Sequence, residues 1–352
     1  MLPSQDCAVF AFRDTTISVG EVLRAAHFRG ELQSCASRVG WKMACEEEAK
    51  RLNLEPDDDA IDEMATRFRY ENDLISAEET EAWLDCRGLN TDEFQAYFDR
   101  CHWWEILKDK VAPDQLDTTH EIPELFDVLE TELLLSGAFG PFAVGLSRRL
   151  IMRHNSESRP DSEKVRAERG RFFERAGLEP ASLAGWLASL DRNNDWFEGM
   201  LEMEAAYRLK CETIMTPEQL SRALLTSRLL LTRLEIESVE FDTIDAAREA
   251  HLCVRDDGMS LEDVARESRY PFKRLELLAE DLPDNQRQAL LCAGLGEILE
   301  PVATDSLFHL HRVIRKTEPT LGEAAIRSRI EQHVLEAYFS GSNAGDIRWL
   351  IR

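Results

Sequence analysis

Leu234-Glu-Ile-Glu-Ser-Val-Glu-Phe241 alternates apolar and charged side chains with a phase slip at Ser238. A period of two is what one buried face of a strand requires. Thr243 stands where it can cap a helix carrying Ile244, Ala247, His251 and Val254 inward, and Gly258 ends that region. Ser260-x-x-Asp263 starts a second helix with Leu261, Val264 and Ala265 on one face. A third apolar segment, Gln288 to Ala293, runs into Gly294-Leu-Gly-Glu-Ile-Leu-Glu-Pro-Val302. A closing strand, Leu307-Phe-His-Leu-His-Arg-Val313, precedes Thr320-x-x-Glu323, which reads as the cap of an amphipathic C-terminal helix. Strand, helices, strand describes a compact α+β unit of about 80 residues, within the usual domain range.

Upstream, helical signals dominate the first 230 residues. Ser18-x-x-Glu21, Ser76-x-x-Glu79 and Thr216-Pro217-x-Gln219 carry the capping-box pattern, in which the hydroxyl accepts from an orphaned amide. Asp57, Asp58 and Asp59 suit the positive end of another helix dipole. One repeat stands out. Phe68-Arg-Tyr-Glu-Asn-Asp-Leu74 returns as Phe172-Phe-Glu-Arg-Ala-Gly-Leu178; each is followed by a Trp-Leu pair (Trp83-Leu84, Trp186-Leu187) and then by Phe94 or Phe197. Large apolar residues holding one register point to a duplicated helical module. The turn-rich stretch 112–123 links the copies. The fold class is therefore α+β and mostly α. It divides into helical module 1 (1–112), a linker with a short helix (113–135), helical module 2 (136–230), an α/β domain (231–316) and a C-terminal helix with tail (317–352).

Composition excludes several classes of partner. The chain of 352 residues has 67 acidic and 42 basic side chains, a formal charge of −25, with 43% hydrophobic and 31% charged residues. A phosphate backbone or an anionic membrane surface needs a basic patch, so neither nucleic acid nor a membrane is the expected partner. The most apolar long window, Leu129 to Leu146, holds Glu130 and Glu132 and is broken by Gly137, Gly140 and Pro141, which rules out membrane insertion. Eight cysteines include no Cys-x-x-Cys pair. With no export signal at the N-terminus, a cytoplasmic location is expected.

Residues 233–316 resemble a parvulin-type peptidyl-prolyl isomerase domain. The resemblance rests on the opening strand, the helical stretch 246–268, Gly296-Glu297-Ile298 with Pro301-Val302, and the closing Phe308-His-Leu-His-Arg-Val313. Helices, then this domain, then a last helix is similar to the layout of SurA-type chaperones. By that resemblance His309 is the retained closing-strand histidine and Ser238 stands at the opening-strand histidine position, so these two are the candidate catalytic residues. Phe308, His309, His311, Tyr270 and Phe272 are the candidate peptide-binding set. Arg269-Tyr-Pro-Phe-Lys-Arg-Leu275 replaces the family's glycine-rich segment. Prolyl rotation faces a barrier of about 20 kcal/mol, and a dry pocket can lower it without nucleophile, metal or cofactor. The resemblance implies a peptide or unfolded-protein client, such as a ribosomally made precursor peptide, in a maturation or export complex. The expected role is a chaperone-like holder with an eroded rotamase centre; the alternatives are an active isomerase and a scaffold subunit of a maturation complex.

Other constellations read as structure. His309-x-His311 lacks a third ligand at useful spacing, so no metal site is assigned. Asp191-Arg-Asn-Asn-Asp195 with Glu202 fits much of a calcium loop, but Trp196 stands where the sharp turn needs glycine, and a helix start is the better account. Residues 148–175 form the least acidic stretch of the chain, suited to an acidic segment of a partner peptide.

Overall fold

A computed structural model describes residues 4–111, 122–155, 159–304, 307–342 and 347–351. Its contacts divide the chain into one unit of residues 1–211 with 339–352, and a second of residues 212–338. The architecture is α+β and mostly α.

The first unit opens with a hairpin, β1 (Ala8–Phe12) and β2 (Thr15–Ser18), joined at Arg13-Asp14. Arg13 adopts a φ of 53°, which this tight connection demands. The helices follow as α1 (Val19–Phe28), α2 (Gln33–Arg51), α3 (Asp58–Glu71), α4 (Ala77–Asp85), α5 (Thr91–Leu107), α6 (Phe126–Leu135), α7 (Gly140–Asn155), α8 (Ser162–Ala176), α9 (Leu183–Ser189) and α10 (Asn194–Ile214). Ser18 caps α1 and Ser76 caps α4 in full capping boxes with Glu21 and Glu79, as their spacing predicts. Asn90 and Glu93 form a third at α5. Asp57 caps α3 and Asp161 caps α8, each accepting the amide three residues on. The linker at 112–121 lies outside the described residues.

The repeat takes the same form twice. In α3–α5, Phe68 meets Trp83 at 5.4 Å and Phe94 at 5.5 Å, both edge-on. In α8–α10, Phe172 meets Trp186 at 5.0 Å and Phe197 at 4.9 Å, again edge-on. Edge contact is the favoured geometry for aromatic quadrupoles, so a conserved register keeps a conserved contact. Both copies feed one apolar core that also holds Phe10, Phe28, Leu129 and Leu133. Residues 1–112 and the part of the second segment as far as Met203 thus share a core. Asn193 accepts the amide of Trp196 at 3.0 Å, and Phe197 is fully buried, so the calcium-like segment is a helix start. The apolar window at 129–146 supplies α6, most of whose residues are buried. Its Glu132 meets Lys42 of α2 at 2.8 Å, also buried. No helix among the described residues is long and apolar enough to cross a membrane.

The second unit holds α11 (Pro217–Ser227), β3 (Arg233–Phe241), α12 (Ile244–Arg255), α13 (Leu261–Ser268), β4 (Phe272–Leu278), α14 (Asp284–Cys292), β5 (Val302–Thr304), β6 (Leu307–Thr317) and most of α15 (Ala324–Ser342). Thr216, Thr243 and Ser260 cap α11, α12 and α13 as expected. Thr320 is not a helix cap: its hydroxyl donates to Glu323, and α15 begins only at Ala324. Four antiparallel strands run in the order β4-β3-β6-β5, which makes the opening and closing strands the centre of the sheet. Leu220 of α11 packs with Ile326 and Ile330 of α15, and that contact draws 212–230 and most of the last helix into this unit. The final strand, β7 (Ile347–Trp349), pairs with β1 in the first unit, giving a sheet of order β2-β1-β7.

Candidate functional site

The four-stranded sheet has two differently furnished faces, because side chains alternate along each strand. Val239, Phe241 and Leu310 point to the side covered by α12 and α13, where Ala247, Ala250, Leu261 and Val264 close a small core. The opposite face divides in two. Leu234, Ile236 and Val313 sit beneath Leu290 of α14. Beyond them register sets Ser238 against His311 and Glu240 against His309. Lys273 of β4 lies beside Ser238 and donates to Glu240 at 2.6 Å.

The two candidate catalytic residues therefore do not oppose each other: Ser238 faces His311 across the strands, and His309 faces Glu240. The break in alternation falls at Ser238, as its sequence predicts, and a separate shift in strand pairing lies between Glu235 and Ile236. Ser238 and Val239 are both buried because both faces of the sheet are covered there. His309 and His311 share a face, with rings stacked at 5.8 Å. The remaining peptide-contact candidates lie on the other side of the sheet. Tyr270 packs on Phe241 at 4.7 Å, and Phe272 and Phe308 border the same helix-covered core. The set thus splits in two, with the histidines on one face and the three aromatics on the other.

Electrostatics on the histidine face follow from burial. His311 is 5% exposed, and neither ring nitrogen has a hydrogen-bond partner among the described residues. Burial, with His309 adding a smaller push, holds its imidazole down to about 4. The Lys273 ammonium keeps the Glu240 carboxyl below its usual range. A buried, unpartnered imidazole stays neutral because charging it would strand the charge away from water. No group of three metal-ligating side chains gathers among the described residues.

Linkage gives a testable consequence. A histidine whose folded pKa lies below its unfolded value of about 6.5 contributes fully above that pH, and its contribution is lost as pH falls toward 4. The loss amounts to about 3 kcal/mol across that window. His311→Phe should flatten the acid limb of a plot of urea midpoint against pH. Equal acid slopes in parent and variant, or a His311 ring proton titrating near 6.5 by NMR, would refute the assignment.

A second feature escaped the sequence reading, since it is built from loops rather than periodic segments. Between α12 and the strap 294–302 lies a cleft of about 960 Å³. Val254, Met259, Ile298 and Val302 give it an apolar floor, and Arg255 and Arg312 stand on its walls. The strap is held as an extra edge to β6: Gly296 and Leu299 donate to the carbonyls of Val313 and His311, and Val313 donates to Glu297. His251, buried beside the cleft, lies 3.9 Å from Glu300.

No family model and no curated protein matches this sequence. Solved structures do align with it. The peptidylprolyl isomerase (PrsA) from Bacillus cereus is 16% identical, over 59% of this chain and 81% of that one, with a TM-score of 0.35. The foldase protein (PrsA) from Lactococcus lactis is 9% identical over 95% of this chain and 87% of its own, at 0.28. A structure described among SurA-like chaperones of Campylobacter jejuni is 10% identical over 66% and 94%, at 0.24. At that similarity the alignments fix no residue correspondences, and the site stands on its own geometry.

Proposed function

We propose that this chain is a chaperone-like, peptide-binding protein whose α/β domain keeps a rotamase-type scaffold without rotamase turnover. One observation carries the reading. Where two imidazoles would have to oppose each other across the central strands, Ser238 opposes His311 and Glu240 opposes His309. The two histidines ride on one strand, one of them buried and neutral. A twisted imide would find no facing pair of rings there. What remains is holding capacity: the apolar-floored cleft between α12 and the strap. Unpaired thiols throughout the chain support work in the reducing cytoplasm. The client in this reading is a ribosomally made precursor peptide held during maturation or export, within a complex that carries it onward.

Two assays on the full chain test this. In a protease-coupled assay with a proline-containing tetrapeptide, cis-to-trans conversion should stay at the uncatalysed rate for both the parent and His309→Ala. In a light-scattering assay, the same preparations should suppress aggregation of a denatured model client. Turnover in the parent that His309→Ala abolishes would overturn the non-catalytic reading in favour of an active isomerase. Loss of client protection in the parent would overturn the holding role.

A further inference from the structure

The first unit carries its own cleft, remote in sequence from the α/β domain. It has a volume of about 480 Å³ and lies against the face of the β1–β2 hairpin that bears Thr15 and Ile17. Arg153 and His154 of α7, Arg159 and Glu202 of α10 complete its walls. Among the described residues, two arginines and a histidine thus face one carboxylate. Arg153 lies 3.7 Å from Glu202 with both side chains about half exposed, an arrangement that water screens heavily and that leaves the guanidinium open to a competitor. The chain as a whole carries a formal charge of −25, so the sign of this hollow runs against it. Its basic side chains all come from residues 148–175, the least acidic stretch.

The cleft adjoins an open strand edge. β2 is the outermost strand of the order β2-β1-β7, and Thr15 and Thr16 are exposed. Phe12 and Thr15 close the turn, so Thr16, opposite Ala11, is the next, non-hydrogen-bonded pair, and its own amide and carbonyl face outward. A strand added there would turn every second side chain toward the cleft.

We propose that the β2 edge and this cleft form a docking site for an extended peptide segment bearing carboxylates. The segment pairs with β2 through its backbone and presents acid groups to Arg153, His154 and Arg159. The inference deepens the peptide-holding reading by naming the chemistry of the client. Local positive potential selects acidic segments at close range, although the molecule as a whole repels them.

Fluorescence anisotropy of the full chain with short labelled, amidated, Thr/Val-rich peptides tests it, with alternate positions filled by Glu, Gln or Lys. The Glu peptide should bind about tenfold more tightly than the Gln peptide, the order of one charge-assisted hydrogen bond, and the Lys peptide least. Arg153→Glu with Arg159→Glu, at two exposed positions outside the core, should remove that preference. Methylating alternate backbone amides of the Glu peptide should weaken it by a similar factor, because the strand pairing is lost. A free-acid Gln peptide that regains the affinity would show that a terminal carboxylate serves as well as a side chain. Equal binding of all three peptides, or a double variant that keeps the preference, overturns the proposal. Client protection measured on the same samples separates the two readings: protection without charge preference removes the acidic-peptide site alone, and charge preference without protection removes the holding role alone.

Discussion

Phe172→Ala should lower the unfolding free energy of the first unit by about 3–5 kcal/mol, the range for emptying a large aromatic site in a packed core. Phe172 is 1% exposed, stacks on Phe28 at 4.9 Å and meets Trp186 and Phe197 edge-on at 5.0 and 4.9 Å. Its counterpart Phe68 makes the same two contacts, with Trp83 and Phe94, but is only half-buried. Phe68→Ala should therefore cost about half as much, since less apolar surface is exposed and the void opens to water. Urea unfolding followed by tryptophan fluorescence reads both. A Phe172→Ala loss no greater than that of Phe68→Ala would mean that the second copy does not anchor the shared core.

Lys42→Met should be comparably damaging, at about 3–5 kcal/mol. The Lys42 ammonium lies 2.8 and 3.1 Å from the two Glu132 oxygens and 5.1 Å from the Tyr97 ring. Removing it leaves a carboxylate buried in α6 without that cation, the costly half of breaking a buried ion pair. Lys42→Met combined with Glu132→Met should recover most of the loss, because two apolar side chains of similar volume need no solvation. A double-mutant cycle from guanidinium unfolding gives the coupling. If the double variant is as unstable as the single one, packing around α2 and α6 rather than charge burial governs the site.

Caps and spaced large residues were legible in the sequence because they act locally. Ser18, Ser76, Thr243 and Ser260 each cap the helix their spacing announces, and the Phe68 and Phe172 repeat reappears as matching ring contacts. Strands whose partners are distant were harder. β1 and β2 are short and flanked by strong helical signals, and β7 closes its pairing with β1 from the far end of the chain. β4 mixes Lys273, Arg274 and Glu276 with apolar residues on an outer strand, where one side of the ladder meets solvent and the pattern blurs. For the histidine face, alternation already told that His309 and His311 share a side. It did not reveal which residue each would oppose, because a displacement at Glu235/Ile236 changes every pairing downstream. Phe272 and Phe308 went to the other face because parity along a strand, not proximity in sequence, decides where a side chain goes, and Tyr270, ahead of β4, packs on Phe241 there.

The pairing of β7 with β1 also bears on how the protein is made. β1 leaves the ribosome more than 300 residues ahead of β7, the strand that completes its second side. At about 5–20 residues per second, the nascent chain carries that apolar border uncovered for tens of seconds. Synthesis of this protein is therefore a race between elongation and self-association, and slowing the ribosome over the α/β unit should lower the soluble yield of the helical one.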